Sequence, residues 1–142
     1  MFAAGVGLGM VTLSRNVFAD DKKPAGKPDT RSAFLETVYA CIVKGEACQA
    51  HCQSRLANGE KEFAHCHAAV TDMVEVCRAT ASLVARQSAH AKEQVAACVA
   101  VCKECSAACL EHKAHFAHGM HLECKACMEA CDLTVKAASA LS

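Results

Sequence analysis

Cysteine is the residue type whose number and spacing in this sequence imply chemistry, with twelve among 142 residues. Between Cys98 and Cys109 four of them, Cys98, Cys102, Cys105 and Cys109, are spaced 4, 3 and 4 apart. At about 100° per residue, those steps keep the four sulfurs inside an arc of roughly 60° on a helix. Cys41, Cys48 and Cys52 fall within roughly 40° by the same geometry. Cys66 and Cys77, eleven apart, are nearly superposed, with Met73 between them on the same face. Cys124, Cys127 and Cys131 form a fourth row. One row of thiols binds little by itself, but four rows facing one another make an interior that only soft metal ions would fill.

Charge discriminates among those ions. A thiol loses its proton when it binds metal, and a bare buried thiolate is costly. Twelve thiolates arranged as Zn(Cys)4 sites would hold about three Zn²⁺ and leave about six negative charges uncompensated inside a narrow core. A monovalent thiophilic ion bound one per thiolate leaves none, and Cu(I) has that charge and that softness, so the expected load is on the order of twelve Cu(I). Iron–sulfur ligation is disfavoured because the run Cys-x2-Cys-x2-Cys-x3-Cys-Pro is absent. Zinc knuckles are disfavoured because the cysteine pairs fall within helical segments. A disulfide framework is the competing reading for so much cysteine. Helical residues four apart hold their Cβ atoms farther apart than the roughly 3.5–4.5 Å a disulfide requires, which leaves only bridges between helices.

The elements that must position these thiols are legible in the rest of the chain. Lys and Arg balance Asp and Glu, 15 against 15, which points away from nucleic acid and from an anionic membrane as partners. With no Trp, one Tyr and five Phe, the core must be built largely from Ala, Val and Cys. From Arg31 onward the composition is that of helix, interrupted at Asn58-Gly59, around Arg86 to Ser88, and at His118-Gly119. Those breaks predict four helices, near 31–57, 60–86, 89–117 and 120–139. Asp29 or Thr30 would cap the first, Ser88 the third, and Gly119 would end the third in the left-handed conformation. Short links between long helices imply an all-α fold, an antiparallel up-down-up-down four-helix bundle with a cysteine-lined core. Gly45 shares the face of Cys41 and Cys48, where it would either make room for a metal or a close helix or be simply a tolerated glycine.

The chain before the bundle reads differently. Residues 2–14 are an apolar run of signal-peptide length, and Val17-Phe18-Ala19 suits cleavage after Ala19. Residues 1–19 are therefore expected to be an export signal, 20–30 a flexible linker holding both prolines, and 31–142 the metal-binding domain. Export would place the protein in the periplasm; if 1–19 is instead a buried helix, the protein is cytosolic. No Lys or Arg precedes the apolar run, so the basic or twin-arginine start of a leader is expected upstream of Met1.

Four cysteine-bearing helices with Cys-x3-Cys pairs on three of them, at Cys48/Cys52, Cys98/Cys102, Cys105/Cys109 and Cys127/Cys131, together with an export leader, resemble the bacterial copper storage proteins over residues 31–139. The resemblance implies a bundle that stores many Cu(I) ions on cysteine thiolates, assembles as a homotetramer and, in exported members, buffers copper for enzymes such as methane monooxygenase. The alternatives are a copper carrier serving a partner protein and a thiol-dependent oxidoreductase. No Ser-His-Asp set, phosphate loop or paired carboxylates argue for any other enzyme. Seven histidines, His51, His65, His67, His112, His115, His118 and His121, cluster near the loops at one end. That end is expected to be either the copper entrance, with His112 and Met120 as transient ligands and Phe63 and Phe116 narrowing it, or a solvated face of ordinary surface histidines. Phe34, Val84, Ala91 and Val135 would plug the other end. Met73 and Met128 lie on or beside the thiol rows and are candidates for auxiliary ligands or for core packing.

Overall fold

In the computed structural model, residues 29–141 are described. The expected leader and most of the expected linker lie outside them. Four α-helices run through the described residues: α1 (Thr30–Ala57), α2 (Ala64–Ala85), α3 (Ala91–Leu110) and α4 (Leu122–Ala138). Each packs on its sequence neighbours, and α4 closes the ring against α1. The short connections make neighbours antiparallel, so this is the expected up-down-up-down bundle.

Local chemistry explains where most helices begin and end. The Asp29 carboxylate accepts from the backbone N–H groups of Arg31 (2.8 Å) and Ser32 (3.2 Å), satisfying donors that the first turn leaves orphaned. At the far end of α1, Gly59 takes φ +87°, and the Glu60 N–H reaches back to the Arg55 carbonyl. This left-handed closure is open to glycine without strain. Gln87 performs the same reversal after α2 at φ 54°, with the Ser88 N–H bonded to the Leu83 carbonyl.

Three boundaries differ from the sequence expectation. Lys61–Phe63 is a single 3₁₀ turn, so α2 proper begins at Ala64. Ser88 does not occupy the cap of α3: its hydroxyl accepts from the His90 N–H one turn earlier, and α3 starts at Ala91. The α-helix of α3 ends at Leu110 rather than near 117. The chain then winds as a 3₁₀ turn over Lys113–His118 before Gly119 (φ +70°) reverses it. The tighter winding carries the chain across the end of the bundle towards α4.

The core is a column of inward residues, one row per helix. On α1 the buried row is Phe34, Val38, Cys41, Gly45, Cys48 and Cys52. Among the described residues no helix is long and apolar enough to cross a membrane. Buried hydroxyls are satisfied within the frame: Thr134 donates to the Ala130 carbonyl at 2.9 Å, and Thr80 to the Val76 carbonyl at 2.7 Å. At the end away from the histidines, Phe34 and Val84 are buried as expected, but Ala91 and Val135 are only half-buried. The inward row of α4 continues through Thr134 and Ala138 instead. The buried positions 124, 127, 131, 134 and 138 alternate steps of three and four, the seam of helices packed in a bundle, and 135 falls beside that seam.

Candidate metal centre

All twelve cysteines are fully shielded from solvent, at 0% exposure. None is paired in a disulfide among the described residues. The close sulfur pairs are non-bonded thiols: Cys41 and Cys131 at 3.6 Å, Cys66 and Cys109 at 3.6 Å, Cys77 and Cys98 at 3.6 Å, Cys105 and Cys127 at 3.7 Å, and Cys48 and Cys124 at 3.7 Å. Each of those pairs joins two different helices. With metal–sulfur bonds of about 2.3 Å, the length found for zinc, one ion can touch two sulfurs up to about 4.6 Å apart.

The sulfurs fall into overlapping sets whose members lie within 4.8 Å of one another. Nearest the histidine end is Cys48, Cys52, Cys66 and Cys124; next come Cys48, Cys109 and Cys127, then Cys105, Cys127 and Cys131. The innermost are Cys41, Cys102 and Cys131, followed by Cys77, Cys98 and Cys102. Every cysteine belongs to a set, and each set shares one cysteine with the next. The shared residues, Cys48, Cys127, Cys131 and Cys102, turn five local sites into one continuous column.

Mutual hydrogen bonding pushes individual thiols in opposite directions. Hydrogen bonds from Cys109, and then from Cys124 and Cys48, hold the Cys66 thiol far below the usual thiol range. Cys105 and Cys109 do the same for Cys127. Cys48 and Cys131 are pushed up, foremost because they donate to Cys109 and Cys102 respectively, with burial adding to the rise. Soft cations binding at these sulfurs displace the protons the thiols share.

A family model for copper storage proteins matches residues 27–136, well over half of the sequence. The chain belongs to the copper storage protein family. No individual curated protein matched the sequence. In this copper storage protein, the thiol column is what a soft cation meets once inside the bundle.

The histidine end of the column is closed by aromatic rings. Phe63 is buried and stacks flat on His112, with ring centroids 4.2 Å apart and planes at 5°. His51 and His121 meet Phe63 edge-on at 5.7 and 4.9 Å, and the His51 Nε2 lies 3.0 Å from the His121 Nδ1. His112 is 7% exposed and its Nε2 has no hydrogen-bond partner. Desolvation, reinforced by the neighbouring His51, lowers the pKa of His121 and favours its neutral form.

Not every expected site residue joins this arrangement. Met120 is 47% exposed, away from the interior. The expectation extended the α4 row one turn back from Cys124, but α4 begins only at Leu122, and residue 120 sits in the reversal after Gly119. His121, in the left-handed conformation at φ 54°, takes the buried place instead. His65 turns outward to Glu111 (2.8 Å), while His115 and His118 are exposed. Met128 and Phe116 are half-buried beside the core, and Met73 lies fully within it. The contribution of His51 and His121 to the closure was not separable from the general histidine cluster in the sequence. The only local signal was their adjacency to Cys52 and to the Gly119 turn.

Proposed function

We propose that this protein is a high-capacity Cu(I) store, loading on the order of one ion per cysteine. The observation that carries the reading is the continuity of the column: twelve fully buried thiols in sets that overlap end to end. A carrier needs one exchangeable site at its surface, and a thiol oxidoreductase needs one accessible activated cysteine. Buried, interlinked thiols instead suit many ions bridged by shared sulfurs. No catalytic residue is required.

Copper enters, on this reading, at the histidine end. The unpartnered His112 Nε2 beneath Phe63 is the first internal ligand for an ion on its way to the set of Cys48, Cys52, Cys66 and Cys124. Export through residues 1–19 to the periplasm and assembly as a homotetramer complete the proposal. Signal cleavage is checked by the N-terminal sequence of secreted protein, and subunit number by light scattering.

Anaerobic titration with Cu(I), followed by the sulfur-to-copper absorption in the ultraviolet, tests the central claim. Saturation near a dozen ions per chain is expected. Saturation at one or a few would favour carriage, and selective alkylation of a single thiol in the metal-free protein would favour catalysis.

A further inference from the structure

The geometry points to Met73 as an additional copper ligand, a thioether that completes the inner end of the thiol column. This rests on the reading of the interior as a Cu(I) store. Helix α2 brings two thiols to the column where α3 brings four, and Met73 fills the inward place between Cys66 and Cys77. Its side chain is fully buried, and its Sδ lies 3.4 Å from the Cys41 Sγ and 3.6 Å from the Cys77 Sγ. Cys41 and Cys77 belong to different sets that meet only through Cys102. Met73 stands on the open side between them, closing a ring of four sulfurs from α1, α2 and α3.

Packing alone does not explain a sulfur at that spot. In the metal-free protein the Cys41 and Cys77 thiols both donate to the Met73 Sδ. When copper replaces those two protons, the thioether loses both donors and faces cations in a dry site. A neutral soft sulfur then coordinates Cu(I) without adding negative charge to a column already balanced by its thiolates. Gly45 sets the position: a Cβ there would fall 2.6 Å from the Met73 Cε and 2.6 Å from the Val74 Cγ2. The methionine methyl rests against the α1 backbone, and the sulfur is held on the column side.

Selenium absorption spectroscopy reads this contact directly. The full chain is labelled with selenomethionine in a Met10→Leu/Met120→Leu/Met128→Leu background, which leaves Met73 and the initiating Met1, loaded anaerobically with Cu(I), and measured at the selenium edge. A selenium–copper scattering shell is expected on loading, and its loss in Met73→Leu, a swap that conserves volume. The first measurement leaves position 73 intact, so it does not depend on how that variant folds. A loaded protein without the shell, or a shell that Met73→Leu leaves undiminished, overturns the assignment. If the copper edge showed no bound copper at all, the storage reading itself would fail instead.

Discussion

Cysteines at the joints between sets differ from those inside a single set. Cys127 belongs to the set with Cys48 and Cys109 and to the set with Cys105 and Cys131, whereas Cys52 belongs to one set at the histidine end. Ions passing inward by exchange between sulfurs must cross Cys127 or go around it. Cys127→Ala and Cys52→Ala should each lower capacity by about one ion. Only Cys127→Ala should also slow the filling of the inner thiols, seen as a delayed second phase in a stopped-flow loading experiment. Equal time courses for the two variants would show that copper does not travel by this route. Sequence periodicity alone placed both residues inside; it could not distinguish a joint from an ordinary member, because that depends on which sulfurs of other helices lie opposite.

Among the elements, the links between helices carry the consequences. Gln87 adopts a left-handed backbone that costs a non-glycine residue about 1 kcal/mol. Gln87→Gly should therefore stabilise the metal-free protein by up to that amount, offset in part by the greater freedom of the unfolded chain. Urea unfolding under reducing conditions measures it. The 3₁₀ turn before α2 delivers Phe63 over the end of the column, where it is buried against His112 and His121. Phe63→Ala should cost about 3 kcal/mol of stability and, by removing the ring that covers the thiols, speed copper uptake. Uptake unchanged in a folded Phe63→Ala protein would mean that ions enter elsewhere. The breaks at Asn58-Gly59 and His118-Gly119 were legible because each supplies a glycine where φ is positive. The early end of α3 was not: nothing in the composition of residues 111–117 separates α from 3₁₀ winding, and the choice follows from where the chain must cross to reach α4.

For the whole molecule, the storage reading couples copper to folding. The core is made largely of cysteine and small or β-branched residues, and the metal sites exist only in the assembled bundle. Ions that bind the folded state alone stabilise it by about 2.7 kcal/mol per independent site at a hundredfold excess over Kd. Anaerobic Cu(I) loading should raise Tm in step with occupancy, releasing about one proton per ion where thiols are replaced by thiolates. Calorimetry in buffers of different ionisation enthalpy reads both. Zn²⁺ should saturate at about a quarter of the Cu(I) count, since each ion demands four thiolates and leaves excess charge behind.

The sequence by itself determined that there are four helices and which face carries the cysteines inward, though not every helix end, because a 3.6-residue repeat is a property of one helix and is written in its own spacing. It also determined the character of the interior, since twelve cysteines on inward stripes leave few other chemistries. The tertiary structure alone decided which sulfurs from different helices meet, that Met120 stands outside while His121 turns in, that Phe63 closes the column, and that Gly45 lets the Met73 sulfur lie between Cys41 and Cys77. These outcomes depend on the axial offset and rotation of one helix against the next. Those are set by the turns and by side-chain packing across the bundle, and no periodicity within a single helix records them.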